Sequence, residues 1–251
     1  MNIPEQILLF IISFAANGFS SFAGGGAGLL QLPALIFLGL PFRIALATHK
    51  IASVFLGVGA TVRNAREKIV KIPFSLYILA WGLPGVLLGA NFILKINDDI
   101  SRTALGFLTC ALGLYSVFKP KLGLAEETKT HSRSSFIIGG LVLFFIGILN
   151  GSLTSGTGLF VTLWLVRWFG MDYKQAVAHT LILVGLFWNG SGAVTLAILG
   201  DVAWFWLPAL IAGSLAGGYA GAHLAIKYGS RWIKKIYEVI TLTVGLKLII
   251  G

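Results

Sequence analysis

The chain has 251 residues, of which 57% are hydrophobic and only 11% are charged. Soluble domains carry about 25% charged residues, so this composition excludes a water-soluble globule and a disordered chain and predicts one polytopic membrane domain. The net charge of +10 would suggest nucleic acid in a soluble protein, but in a membrane protein it predicts basic cytoplasmic loops and no nucleic-acid partner.

Eight apolar regions follow one another along the chain, four in each half. They cover about 6–40, 44–62, 72–94 and 102–118, and then about 136–169, 174–199, 203–226 and 232–250. About 20 helical residues cross a bilayer, because a helix rises 1.5 Å per residue. The last three regions of each half therefore predict one crossing each. We expect one transporter domain with a first repeat over about 6–118, a cytoplasmic linker over about 119–135 and a second repeat over about 136–250.

The first region of each half is too long for a single crossing and is interrupted in its middle. The interruptions are residues 22–28 (FAGGGAG) and 152–158 (SLTSGTG). Each Gly in a helix interior costs about 1 kcal/mol, so neither stretch holds a helix well. Each first region is therefore predicted to be two short helices joined by a turn. The pattern leaves open whether the pair is a re-entrant hairpin or two short spans.

The two halves resemble each other in sequence. Residues 26–29 (GAGL) match 156–159 (GTGL), and residues 45–49 (ALATH) match 176–180 (AVAHT) with Thr and His exchanged. The offset between the halves is 130 in the first match and 131 in the second. A nearly constant offset indicates an internal repeat.

The distribution of basic residues predicts the topology. Fourteen of the 19 Lys and Arg residues fall in four segments, 63–71, 119–135, 167–174 and 227–235. If each first region returns to the side on which it starts, all four segments lie on one side, which the positive-inside rule assigns to the cytoplasm. Both termini then lie outside, and the halves are inverted because each crosses an odd number of times. Inverted repeats are typical of transporters. The predicted fold is an all-α polytopic membrane protein with two inverted repeats, each with a broken or re-entrant helix pair plus three transmembrane helices.

The two interruptions are the first candidate binding elements. A helix N-terminus carries a partial positive charge and unpaired N–H groups, which cannot stay bare in a lipid environment. The hairpin tips of an inverted pair enter from opposite faces, so they can meet near the midplane and form an anion site. The alternative is close helix packing through small residues. The candidate substrate-binding residues at or beside the interruptions are Asn17, Ser20, Ser21, Gly24, Gly25, Gly26, Asn150, Ser152, Thr154, Ser155, Gly156 and Thr157.

The ionisable residues of the apolar regions favour an anion. No Asp or Glu lies in the middle of a predicted span, since Glu238 falls toward the start of the last region; this argues against a cation site. Lys50 is a candidate for neutralising the substrate, with the alternative that it extends to the headgroups. His49 and His179 are candidates for proton coupling, because a free His titrates near pH 6.5; the alternative is a packing role. Gln31 and Asn189 are weaker candidates, typical of interhelical hydrogen bonds.

Three segments carry a resemblance to a known family. They are residues 18–28 (GFSSFAGGGAG), residues 47–50 (ATHK) followed by the basic 63–71 segment, and the corresponding stretch of the second half at 150–158 (NGSLTSGTG). At these residues the sequence resembles the sulfite exporter TauE/SafE family of bacterial membrane proteins, and the resemblance covers essentially the whole chain. It implies export of sulfite or of a small organosulfonate such as sulfoacetate across the inner membrane.

The sequence therefore predicts a secondary transporter that exports a small sulfur-containing anion. The alternatives are a passive anion channel and a permease for another small anion. A membrane-embedded enzyme is disfavoured for two reasons. The sequence offers no combination of a nucleophile, a base and an orienting group, and it has no residues at metal-ligand spacing. No cofactor or metal is expected. The expected partners are the small anion and the lipid bilayer, and association into a homo-oligomer is left open.

Overall fold

A computed structural model describes residues 3–65, 70–118, 132–154, 156–228 and 231–250. Within these ranges the chain forms helices and no strand, so the prediction of an all-α protein is confirmed. Most of the predicted linker, residues 119–131, lies outside the described residues, as does the candidate site residue Ser155.

The helices follow the predicted regions closely. The first half contains α1 (Ile3–Ala23), α2 (Ala27–Phe37), α3 (Phe42–Asn64), α4 (Ile72–Ile93) and α5 (Asp98–Phe118). The second half contains α6 (Arg133–Ser152), α7 (Thr157–Phe169), α8 (Tyr173–Ile182), a π-helical segment (Leu183–Trp188), α9 (Asn189–Leu199), a 3₁₀ turn (Trp204–Trp206), α10 (Leu207–Tyr228) and α11 (Arg231–Ile250).

Six of these helical stretches are long and apolar enough to cross a membrane. They are α1, α3, α4, α6, the continuous run from Lys174 to Leu199, and the run from Trp204 to Lys227 that contains most of α10. Their outer faces carry exposed large apolar side chains such as Phe92 and Ile198, as a lipid-facing surface requires. The chain is thus a multi-pass membrane protein. By contrast, α2 and α7 have 11 and 13 residues, or roughly 17 and 20 Å, and are too short to cross alone.

Each interrupted region is a hairpin of one long and one short helix. In the first, Gln31 of α2 donates to Ser13 of α1 across the hairpin (Nε2 to Oγ, 2.9 Å). In the second, the Trp164 indole of α7 donates to the carbonyl oxygen of Gly139 on α6 (3.2 Å). Both short helices therefore fold back alongside the long helix that precedes them. Positive φ angles of 85° to 129° over residues 24–26 permit the first reversal, because glycine adopts them at no steric cost.

Corresponding helices of the two halves pack in corresponding pairs. Helix α1 packs against α10, and its counterpart α6 packs against α4, the counterpart of α10. Glycines permit both close contacts: a Cβ added at Gly221 would overlap the carbonyl oxygen of Gly18, and one added at Gly89 would overlap that of Ile148. At the centre, α3 packs against the run from α8 to α9, and α5 packs against α11. These pairs agree with an internal repeat, while the inversion of the halves across the membrane stays a prediction.

Candidate functional site

The two hairpin tips meet backbone to backbone. A Cβ added at Gly25 in the first tip would lie 2.6 Å from the carbonyl carbon of Gly158 at the start of α7. A Cβ added at Gly28 on α2 would lie 2.9 Å from the Thr154 methyl group in the second tip. Each tip therefore approaches the other half of the chain at a distance that only glycine permits.

The short helices α2 and α7 both begin at this contact. Each helix is preceded by a glycine with left-handed backbone angles, Gly26 or Gly156. Because glycine has no side chain, neither helix start is capped by a side-chain hydrogen bond from this position. The first N–H groups of a helix have no partner within the helix, and together they carry about half a positive charge. Here the N–H groups of Leu29 and Leu159 already donate to the carbonyl oxygens of Gly26 and Gly156, and that of Thr157 to the carbonyl oxygen of Thr154. The remaining N–H groups of the two termini are the ones that can serve a ligand at this point.

A cavity lies where the two tips meet, and we call it the central cavity. Its free space is about 30 Å³, enough for a few water-sized groups. Elements of both halves line it. The lining residues are Ser20, Gly25, Gly26, Ala27, Gly28, His49, Ser53, Leu56, Asn150, Thr154, Thr157, Gly158, Thr180, Leu181, Val184, Gly185 and Asn189.

About half of the candidate residues from the sequence line this cavity. They are Ser20, Gly25, Gly26, His49, Asn150, Thr154 and Thr157. Asn17, Ser21, Gly24, Ser152, Gly156, Lys50 and His179 lie outside its lining. Asn17 is nevertheless connected to the cavity, because it donates to Gln31 Oε1, which also contacts the cavity residue His49. The Ser152 hydroxyl donates within its own helix to the carbonyl oxygen of Ile148 (2.8 Å).

The hydroxyl groups of the cavity differ in whether they are already engaged. The Thr157 hydroxyl accepts from Asn150 Nδ2 (2.9 Å) and donates to the carbonyl oxygen of Thr154 (2.9 Å). The hydroxyls of Ser20 and Thr154 make no hydrogen bond within the described part of the chain. Ser20 and Thr154 can therefore donate to a ligand, whereas Thr157 holds the second tip in shape.

Lys50 lies behind the cavity and is fully buried. Its Nζ donates to Asn150 Oδ1 (2.9 Å) and Asn189 Oδ1 (3.3 Å), two residues of the cavity lining. No carboxylate lies within salt-bridge distance of Lys50 among the described residues. A buried charge without a counter-charge is costly, so the ammonium group favours an anion nearby. It also connects α3 of the first half to α6 and α9 of the second.

A chain of buried side chains leads from the cavity to the contact between α1 and α10. His49 Nδ1 lies 2.7 Å from Gln31 Oε1, which can only accept, so Nδ1 donates in the assigned side-chain orientation. Gln31 donates in turn to the Ser13 hydroxyl, and Asn17 donates to Gln31 Oε1 (3.3 Å) and to the Ser214 hydroxyl (3.0 Å). The other ring nitrogen of His49 faces the start of α2, where a Cβ at Gly28 would lie 3.3 Å away.

His179 has a different environment from His49. Its Nδ1 donates to the carbonyl oxygen of Gln175 (2.8 Å), and its Nε2 accepts from the backbone N–H of Lys71 (3.2 Å). Its ring also packs edge-on against Phe74. Both nitrogens are therefore engaged, Nδ1 within α8 and Nε2 in joining α8 to the start of α4. His179 does not line the cavity.

Thr180 occupies the cavity position that corresponds to His49. It lies 131 residues after His49, which is the repeat offset of that segment. Its hydroxyl is 2.8 Å from that of Thr162, which donates to the carbonyl oxygen of Gly24 in the first tip (2.7 Å). Thr180 is not among the candidates predicted from the sequence. The register of the repeat, which aligns Thr180 with His49, is the signal that identifies it.

The π-helical segment was also missed. It covers Leu183–Trp188 and places Gly185 in the cavity lining. A Cβ at Gly185 would lie 2.9 Å from the Cα of Gly57 on α3. Short π segments inside α-helices occur frequently at functional sites, since the extra residue changes which face later side chains present. Asn189, directly after the segment, lies on the cavity and bonds to Lys50.

Comparisons with known proteins agree with this architecture. The family model described as sulfite exporter TauE/SafE matches residues 9–248. The chain is 30% identical to a probable membrane transporter protein of Haemophilus influenzae, over 96% of this chain and 93% of the relative. It is 29% identical to the probable membrane transporter protein YfcA of Escherichia coli K12, over 96% of this chain and 88% of the relative. These names describe membrane transporters and not enzymes.

Proposed function

We propose that this chain, which belongs to the sulfite exporter TauE/SafE family and is a membrane transporter, exports a small sulfur-containing oxyanion. The substrate class is sulfite or a small organosulfonate such as sulfoacetate. The membrane is the bacterial inner membrane, with both termini on its outer side and the linker over about 119–135 on the cytoplasmic side.

The observation that carries this proposal is the meeting of two helix N-termini at one buried cavity. A desolvated oxyanion needs several donors at once, because an unpaired buried charge costs many kcal/mol. The starts of α2 and α7 supply backbone N–H groups that need no rearrangement. The free hydroxyls of Ser20 and Thr154 add side-chain donors, and Lys50 contributes positive charge from behind Asn150 and Asn189.

The cavity lining also disfavours other substrate classes. It contains neither Asp nor Glu, and metal cations and protonated amines are usually held by such carboxylates in membranes. The free space of about 30 Å³ suits a compact oxyanion better than a long-chain one in this conformation. A three-oxygen sulfur group fits the demand for several convergent donors.

Binding to the purified protein tests this proposal. Sulfite, sulfoacetate, sulfate and acetate are added at matched ionic strength, and the melting temperature is followed. We expect sulfite or sulfoacetate to raise it, because a ligand that binds only the folded state stabilises that state. Stabilisation by none of these anions, or equal stabilisation by sodium chloride, would contradict the proposed site.

Flux into proteoliposomes separates a coupled transporter from a passive channel. His49 supports coupling, because its ring faces the cavity on one side and a buried hydrogen-bond chain on the other. A transporter coupled to protons accumulates sulfite against its gradient when a pH gradient is imposed. A passive channel only equilibrates the anion.

A further inference from the structure

A second cavity opens at the end of the bundle where α3 begins and α9 ends, and we call it the vestibule. Its free space is about 330 Å³. The predicted topology places this end on the outer side. The residues that line it are Pro41, Arg43, Ile44, Ala47, Leu94, Leu196, Leu199, Gly200 and Asp201.

One face of α3 leads from the vestibule to the central cavity. Ala47 lines the vestibule, Lys50 follows three residues later, and Ser53 lines the central cavity three residues after that. Residues spaced by three or four lie on one face of a helix. Lys50 therefore stands between the two cavities on α3.

The facing side of α9 repeats this order in the opposite chain direction. Leu196 lines the vestibule, Gly192 lies one turn away, and Asn189 lines the central cavity. A Cβ added at Gly192 would lie 2.9 Å from Cδ and 3.3 Å from Nζ of Lys50. The Lys50 side chain thus fills the space between the two cavities, and Gly192 leaves the room for it.

We propose that the vestibule is the outer mouth of the anion path and that the Lys50 side chain is the movable, charge-selective barrier between the vestibule and the central cavity. This inference rests on the proposed function, since it takes an anion in the central cavity as the species that passes. Its basis is that both α3 and α9, which face each other, carry a residue of the vestibule, then Lys50 or the glycine that contacts it, and then a residue of the central cavity.

The chemistry of Lys50 suits this role. Its ammonium group is held by two neutral amide oxygens, of Asn150 and Asn189, and by no carboxylate in the described part of the chain. An anion in the central cavity competes with those oxygens for the ammonium group, which can then swing on its flexible four-carbon stem. The anion passes with a counter-charge beside it, whereas a cation is repelled.

Two glycines of α9 provide a matched test. Gly192→Ala introduces a methyl group against the Lys50 side chain, whereas a Cβ at Gly190 meets nothing within 4 Å. Both changes raise helix propensity, so folding is expected in both. We expect Gly192→Ala to slow sulfite flux in proteoliposomes about tenfold, because the added methyl group packs against the Lys50 side chain and restricts its movement. Tenfold corresponds to about 1.4 kcal/mol. Gly190→Ala should transport as the unchanged protein does, and both variants should keep the sulfite-induced rise in melting temperature.

Cysteine labelling gives a second, independent readout. Cys110 is the single cysteine of the chain and is first replaced by Ser. In this Cys110→Ser background, Lys50→Cys should react with an anionic methanethiosulfonate reagent added from the outside. Ala52→Cys, on the same helix and fully buried in the apolar core, should not react. Correct folding of both is checked by size-exclusion chromatography.

The outcomes separate this inference from the proposed function. Equal flux in the Gly192→Ala and Gly190→Ala variants, or an unreactive Lys50→Cys, with sulfite binding retained, would overturn the barrier and leave the central site standing. Absence of anion binding in the unchanged protein would overturn the proposed function itself.

Discussion

At the residue scale, the hydroxyl groups of the cavity divide into ligand donors and structural links. The Ser20 hydroxyl has no partner in the described part of the chain, whereas that of Thr157 joins Asn150 to the carbonyl oxygen of Thr154. Residue type alone cannot reveal this difference, since both were equal candidates in the sequence. Only the fold shows which hydroxyl is already engaged.

This division predicts different effects of two substitutions. Ser20→Ala should weaken sulfite binding about ten- to hundred-fold at unchanged stability, because a hydrogen bond to a charged ligand is worth about 1.5–3 kcal/mol. Thr157→Val should instead destabilise the protein by about 1–3 kcal/mol, because it leaves buried partners unsatisfied. Melting temperature without ligand and sulfite titration measure the two effects. Loss of affinity in Thr157→Val alone would reverse the assignment.

The two histidines, equivalent as sequence candidates, have separate predicted effects. His49 lies between the cavity and the buried hydrogen-bond chain, so as a proton carrier it should make sulfite affinity depend on pH. His49→Gln should flatten this pH profile, because glutamine cannot carry the proton. His179→Gln should lower the melting temperature and keep the profile, since both His179 nitrogens bond within the protein. Binding curves across pH for both variants decide the matter, and a flat profile in the unchanged protein would remove the proton role from His49.

At the element scale, the helices were predictable to within a few residues, but the π segment was not. Apolar length and interrupting glycines predict the hairpins because a helix must span about 30 Å of hydrocarbon and a glycine run disfavours one. The apolar stretch LVGLFW at 183–188 forms a π-helical segment, but its sequence is just as compatible with an α-helix. The contact of Gly185 with Gly57, which lies far away in the sequence, could not be read from local pattern.

The effect of the contact between the tips can be separated from that of backbone strain by comparing substitutions at two glycines that both have a positive φ. Gly39 has φ 102° with nothing within 4 Å of an added Cβ, whereas Gly25 has φ 129° with the Gly158 backbone 2.6 Å away. Gly39→Ala should therefore cost about 1–2 kcal/mol through left-handed strain alone. Gly25→Ala should cost more and abolish sulfite binding, because the tips must separate. Equal melting temperatures and equal binding in the two variants would argue against tip contact.

At the scale of the whole molecule, the direction of paired helices bears on the topology. Near their starts, Gln6 of α1 donates to the carbonyl oxygen of Phe205, directly before α10 (3.0 Å), and further along, Ser13 contacts Ser214. The α1 and α10 helices thus run parallel. An inverted arrangement requires this, since it sends both helices from the outside inward. Charge counting predicts the same relative direction from loop composition alone. That both helices start at the outer face stays a prediction.

The absolute orientation is tested by labelling single cysteines in intact cells. In a Cys110→Ser background, Asp201→Cys should react with an impermeant maleimide from outside, because Asp201 is exposed at the predicted outer end. Ser132→Cys, exposed at the start of α6 beside the predicted cytoplasmic linker, should react only after the membrane is permeabilised. The physical reason is that 14 of 19 basic residues fall in the four segments that the predicted topology puts on the linker side, and basic loops are retained in the cytoplasm. Labelling of Ser132→Cys from outside would invert the whole assignment and place the vestibule at the cytoplasmic face.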